Sequence, residues 1–336
     1  MAPRKELLYA VVLAAGSLVA QPSSGAPASG DRVVTLNVIA RDGQNQPIGD
    51  LGMDDLKVTD QGKPQRITSF HYQGGAAGKG AVRGHNVVVL FDLLNDDAAY
   101  RGYGQELIDK AMQPLETPES LFLYLLTPNG SLYPVHPVSG PDADAAAASG
   151  PWTQQIKPLL DSAVQKVYGF KPIDEKVIAL RIESTYHALE TLASEIAPLP
   201  GRKDLIWITR GVPIEIRLVN QEMFDYRPML QRVATLVDQA GISVSTVDQS
   251  QAVSSQSKDT LEEFTELTGG KAYPAGTVDK AVQEAMEAPR ATYVIQYAAL
   301  APDGKFHKVR VTTTRKGVHL QAEQGYLDSP TLQRKR

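Results

Sequence analysis

The chain has 336 residues, with 34 basic and 38 acidic side chains and a formal charge of −4. With 42% hydrophobic residues it has ordinary globular composition and the length of one large domain or two. The acidic balance argues against a general nucleic-acid binder, and the absence of cysteine excludes disulfides, thiolate metal sites and cysteine nucleophiles.

The first residues read as an export signal. Arg4 and Lys5 precede an apolar stretch, Leu7 to Ala20, of 14 residues. That is shorter than the about 20 residues a membrane-spanning helix needs. Ala26-Pro27-Ala28 supplies an A-x-A cleavage site, so residues 1–28 are expected to be a signal peptide. The mature protein is then expected in the periplasm or outside the cell. No later segment is apolar and long enough to span a membrane.

Val33 to Ala40 (VVTLNVIA) is rich in β-branched residues and alternates, as a strand does. Leu56 to Asp60 and Gln65 to Tyr72 read as further strands, separated by the turn Gln61-Gly62-Lys63-Pro64. Together they predict a small β segment over 29–75. The Gly/Ala-rich stretch 74–84 reads as a linker.

The pattern then changes. Asn86 to Phe91 (NVVVLF), Leu121 to Thr127 (LFLYLLT), Asp204 to Thr209 (DLIWIT) and Ile242 to Val247 (ISVSTV) are mostly continuous apolar runs. Such runs suit strands buried on both faces. Helices are predicted between and after them, at 97–112, 152–165, 177–196, 226–240, 260–268 and 277–288. Asn129-Gly130 predicts a tight turn into an edge strand at Ser131 to Val135. Strands alternating with helices predict an α/β class with a doubly wound, mostly parallel sheet over 84–289. The tail returns to alternation at 292–299, 308–314 and 317–321, with Asp303-Gly304 as a hairpin turn. These strands, in 290–328, are expected to pair with the N-terminal segment as one small β unit; the alternative is that they extend the main sheet.

The buried strand Val87–Asp92 (VVVLFD), the helix segment Glu183 to Leu189, the strand end Trp207-Ile208-Thr209-Arg210-Gly211, then Gln239 to Val244 and Leu261 to Tyr273 follow in a characteristic order. In that order they resemble a von Willebrand factor type A domain. Residues 32–72 and the closing Gly325-Tyr326 resemble the bacterial proteins related to that domain, found notably in acidobacteria. The resemblance covers roughly residues 32–327. It implies a Rossmann-like domain and, in adhesive members, a metal ion-dependent adhesion site. That site is built from D-x-S-x-S, a Thr before a helix and an Asp after a strand, and it holds Mg²⁺ through oxygen ligands.

Laid on this chain, Asp92 matches the first Asp, Leu94 stands at the first Ser and Asp96 at the second. Thr185 is the candidate Thr, with Ser184 and Glu183 as neighbours. Arg210 stands where the second Asp belongs. Two readings follow. A degenerate site holds Mg²⁺ through Asp92, Asn95, Asp96 and Thr185, the metal ligands proper being Asp92, Asp96 and Thr185. Alternatively, the Arg210 guanidinium pairs with Asp92 and replaces the ion. Apart from that Mg²⁺ no cofactor is expected.

The six histidines are scattered, with no H-E-x-x-H pair, and there is no G-x-S-x-G, Walker or G-x-G-x-x-G motif. No catalytic residue is assigned. The expectation is an exported, non-enzymatic binding module. Its ligand-binding residues are Asp92, Asn95, Asp96, Thr185 and Arg210, and its partner is a protein or glycan carrying an acidic group, not a nucleic acid. The rivals are an envelope hydrolase using Asp92 and Asp96, with His187 as a further candidate, and a structural envelope component.

Overall fold

The computed structural model describes residues 33–328 except 74–85, 97–100, 114–115, 118–120, 138–149, 152–153, 155, 175–176, 200–202, 218–220, 250–254, 288–291 and 300–302. The expected signal peptide and the 74–84 linker fall outside the described residues.

The described residues begin with β1 (Val33–Arg41), β2 (Leu56–Asp60), β3 (Lys63–Gln65) and β4 (Ile67–Tyr72). Then come β5 (Asn86–Asp92), α1 (Arg101–Met112), β6 (Glu116–Thr117), β7 (Leu121–Leu126), β8 (Leu132–His136) and β9 (Gly150–Pro151). Helices α2 (Lys157–Tyr168) and α3 (Ile178–Ile196) lead to β10 (Lys203–Thr209) and the hairpin β11 (Glu215–Arg217)–β12 (Met223–Asp225). The rest of the middle is α4 (Arg227–Gln239), β13 (Ile242–Asp248), α5 (Ser255–Thr268), β14 (Ala272–Tyr273) and α6 (Val278–Glu287). The tail is β15 (Thr292–Ala298), β16 (Phe306–Thr313), β17 (His319–Gln321) and β18 (Gly325–Leu327).

The expected class, a doubly wound and mostly parallel sheet with a small β appendix, is corrected by the pairing. Among the described residues only one sheet contains parallel strands, and it is mixed. Its order is β14-β13-β10-β5-β7-β8, with β8 running antiparallel at the edge. All other sheets are antiparallel: β17-β1-β15-β4, β18-β16-β2-β3, and the two-stranded β11-β12 and β6-β9. The reason lies in how the strands are buried. The central runs are buried at nearly every position and accept helices on both faces. The alternating head and tail strands can bury only one face, so they pair antiparallel and close on each other. Asn129-Gly130 adds a hairpin to the mixed sheet, where Gly130 has φ +83°.

Alternation within the central strands feeds two cores. Val88 and Leu90 of β5 join Trp207, Val244 and the buried faces of α3, α4 and α5. Val87, Val89 and Phe91 join Ile206, Ile208 and the faces of α1, α2 and α6. A third core lies between the two four-stranded sheets. It contains Leu36 and Val38 of β1, Val58 of β2, Tyr293, Ile295 and Tyr297 of β15, and Val309 of β16. Head and tail pair along β1 and β15, from Val33↔Ala298 to Ile39↔Thr292. The antiparallel unit is tied to the helices by Gln324 N–H donating to Glu266 O (2.8 Å) and Leu327 N–H to Thr235 Oγ1 (2.9 Å).

One feature of that junction carries a pH dependence. Asp238, near the end of α4, lies close to Glu323, whose carboxylate accepts from Asn37 N–H and Nδ2–H. Burial first, and the Glu323 charge second, push the Asp238 carboxyl well above its ordinary value. The native state thus holds this proton more tightly than the unfolded chain. Stability from this group is present below the unfolded value and falls as pH rises through the folded one. Asp238→Asn is expected to be nearly neutral at about pH 4 and to stabilise the protein at about pH 8. Urea midpoints at the two pH values check it; a variant equally or more destabilised at the higher pH contradicts it.

Candidate functional site

In the mixed sheet the chain leaves β5 toward β7 on one side, while β10 joins β5 on the other. The connections diverge there, at the carboxyl ends of β5 and β10. In open sheets such a point is where ligands are commonly held. Asp92 ends β5 and Thr209 ends β10, so strand geometry alone delivers both side chains to it.

Asp92 is completely buried. Its Oδ1 accepts from Asn95 N–H (2.9 Å), which closes the turn after β5. Its Oδ2 accepts from Asn95 Nδ2 (2.8 Å) and from the Thr209 hydroxyl (2.6 Å). The same Asn95 Nδ2 donates to Thr185 Oγ1 (2.8 Å), which in turn donates to Arg181 O one helical turn back in α3 (2.8 Å). Arg181 Nη2 donates to Leu94 O (2.9 Å), so α3 grips the loop twice. Gly211 N–H completes the network by donating to Thr209 Oγ1 (2.9 Å).

The orientation of the Asn95 amide follows from its neighbours. A carboxylate can only accept, and the Thr185 hydroxyl spends its proton on Arg181 O, so it too must accept from Asn95. Both contacts therefore need the NH₂ end. Burial is the main influence on Asp92 and raises its carboxyl above the ordinary value. The bonds from Thr209 and Asn95 and the Arg181 charge oppose that rise.

The five residues expected here are thus placed as follows. Asp92, Asn95 and Thr185 are hydrogen-bonded together. Asp96 is buried in the same loop but contributes none of these bonds. Arg210 is half-buried next to Thr209. Asp92 accepts from Asn95 and Thr209, and the Arg181 charge acts on it. Sequence reasoning missed Thr209 and Arg181. Thr209 stood in the motif beside Arg210, and Arg181 lies four residues before Thr185 on the same helix face. His187 is exposed on α3.

This donor set does not fit the Mg²⁺ that the resemblance implies. A bound ion needs oxygen lone pairs converging at about 2.1 Å. Here the NH₂ of Asn95 sits between Asp92 and Thr185, and a hydroxyl proton from Thr209 faces the same carboxylate oxygen. Leu94, at the first Ser position, is part of the apolar core. The amide nitrogen bridges the groups that an ion would otherwise bridge.

No family model matches the chain, and no curated protein matches it. Solved structures similar to it include the vWF domain of the type V pili tip protein Mfa5 from Porphyromonas gingivalis. That comparison has 9% identity and a TM-score of 0.36, and covers 60% of this chain and 94% of that one. The three N-terminal domains of Mfa5 give 8% identity and a TM-score of 0.36, over 90% of this chain and 69% of that one. Human COPII-coat protein Sec24c gives 12% identity and a TM-score of 0.33 over 73% of this chain. The chain spans 44% of the Sec24c chain. At these scores the reading of the site rests on its own geometry. Among the described residues, no helix is long and apolar enough to cross a membrane.

Proposed function

We propose that the chain is a non-enzymatic binding module of the exported compartment, acting through the carboxyl end of its mixed sheet without a metal ion. The observation that carries this reading is the bridging Asn95 amide. It ties the Asp92 carboxylate to Thr185, and Thr209 joins through Asp92, which supports an anchoring role for the carboxylate. A fully bonded buried carboxylate is a poor acid or base but a good anchor for the loops around it. The rim offers recognition chemistry. Arg210 contributes positive charge for an acidic group on a protein or glycan partner. The hairpin after β10 exposes Met223 and Phe224, at 53% and 46%. Loops on a rigid scaffold are the usual carriers of binding.

The test is capture of crosslinked partners from the envelope fraction of the source cell, in Mg²⁺ and in EDTA, with the native chain and Arg210→Glu. The expected result is a defined partner captured equally in both buffers and lost with Arg210→Glu. Capture abolished by EDTA and by Asp92→Asn would restore the metal-dependent model. Turnover of an envelope polymer by the native chain, absent in Asp92→Asn, would favour the hydrolase.

A further inference from the structure

A second polar cluster lies where the tail closes on the head of the chain. Its centre is His307, near the start of β16 and 5% exposed. On one side, His307 Nδ1 lies 2.9 Å from Asp60 Oδ1, at the end of β2. Asp60 is itself buried, and its Oδ2 accepts from the hydroxyls of Tyr297 (3.0 Å) and Tyr326 (2.9 Å). On the other side, Nε2 faces Asp303 Oδ1 at 3.2 Å and Asp328 Oδ2 at 3.8 Å. Asp303 and Asp328 are brought together by the backbone: Gly304 N–H donates to Asp328 O and Asp328 N–H to Lys305 O, both at 2.8 Å.

Asp60 fixes the tautomer. A buried carboxylate can only accept, so Nδ1 carries the proton, and the remaining nitrogen is aimed at two further carboxylates. In the neutral ring, Nε2 presents a lone pair to Asp303 Oδ1 and Asp328 Oδ2, acceptors that also take the backbone N–H of Lys305 (2.9 Å) and of Asp303 (3.3 Å). This is the arrangement of a metal-binding histidine, with one nitrogen held by an outer carboxylate and the other free to ligate. Distances agree. Ligands at about 2.0–2.2 Å from a tetrahedral ion stand about 3.4 Å apart, and the observed separations of 3.2 and 3.8 Å fall on either side of that value. All three ligand atoms lie within 4.8 Å of one another. Asp303 is 42% exposed at its side chain, which gives an ion a way in and leaves room for water as a fourth ligand. Three carboxylates around one imidazole also leave excess negative charge even if the ring carries both protons. Lys305, 3.9 Å from Asp303 Oδ2, offsets only part of it.

We propose that Asp303, His307 and Asp328 form a binding site for a divalent transition metal ion, Zn²⁺ above others. Imidazole with two carboxylates suits Zn²⁺ better than Mg²⁺ or Ca²⁺, which prefer oxygen alone. The ion would pin the 303–305 turn and β18 to β16, and through Asp60 to β2. It would act as a staple between tail and head rather than as a catalyst.

The test uses the full chain freed of metal by chelator dialysis. Zn²⁺ is titrated by calorimetry, and Co²⁺ is added separately for its visible ligand-field absorption. Asp303→Asn is the main variant, because its exposed position leaves the fold intact; Asp328→Asn is the second. The expected result is one saturable Zn²⁺ site and a Co²⁺ spectrum with a nitrogen ligand. Asp303→Asn should weaken binding by about 10-fold or more, with unchanged circular dichroism. Thermal unfolding should shift upward with Zn²⁺ in the native chain and less in the variant. No saturable Zn²⁺ binding by the native chain overturns the proposal. So does binding that Asp303→Asn and Asp328→Asn both leave unchanged, which would place the ion elsewhere and make His307 a plain hydrogen-bonded link.

Discussion

Asp92→Ala is expected to destabilise the protein by about 3–5 kcal/mol, the range for removing one member of a buried charged network. The substitution strands three donors at once: the Asn95 backbone N–H, the Asn95 amide and the Thr209 hydroxyl. Each is buried, and water cannot replace the lost acceptor without opening the site. Asp92→Asn retains one oxygen acceptor and is expected to cost about 1–3 kcal/mol. The two variants also differ from the native chain in pH dependence. Burial raises the Asp92 carboxyl in the folded state, so the native chain binds this proton more tightly than the unfolded one. Stability from the group is present below the unfolded value and declines as pH rises through the folded one. The cost of Asp92→Asn should therefore shrink as pH rises across that window. Urea unfolding at several pH values reads both effects. A loss below about 1 kcal/mol for Asp92→Ala would mean that the network is not the anchor of the loops.

Gly270→Ala is expected to be at least as damaging, about 4 kcal/mol or more, which places it among the exceptional single substitutions. A Cβ at this position would fall on the backbone carbonyl of Val244 in β13 and within 2.8 Å of Ser245 N. Backbone cannot rotate away as a side chain can, so α5 and β13 would have to part. The preceding glycine has a different role. Gly269 has φ +70° and ends α5, and Gly270 N–H donates to Thr265 O at 2.9 Å, the bond of a Schellman cap. Gly43→Ala is the control, with nothing within 4 Å of its Cβ, and should be nearly neutral. Soluble yield and the urea midpoint of both variants decide it. A Gly270→Ala protein as stable as the control would show that α5 can shift without cost.

Much of the local structure was legible in the residues. Continuous apolar runs marked β5, β7, β10 and β13, because a strand covered on both faces has no position that water must reach. Period-two alternation marked β1, β15 and β16. Asn129-Gly130 announced a turn, which needs φ above zero at the glycine. These signals are local, and each is written in a few consecutive side chains.

What the local signals did not contain was the pairing. Alternation shows that a strand buries one face, not which strand covers it, so the antiparallel sheets were underestimated and the class was misread as mostly parallel. β1 finds β15 across almost the whole chain, from Val33 to Ala298. The site shows the same division. Asp92 at a strand end and Thr185 were readable, but Thr209, which donates to Asp92, lies 117 residues from it. Arg210 was singled out because it departs from a motif, and the neighbouring Thr209, not singled out, donates to Asp92. Successive side chains at a strand end point to opposite sides, so a shift of one residue decides which reaches the site. His307 and Asp60, 247 residues apart, carry no sequence pattern at all. Residue order determined the elements and the chemistry available at their ends. Which of those groups meet was decided by burial, because only the folded cores force distant polar side chains to satisfy one another.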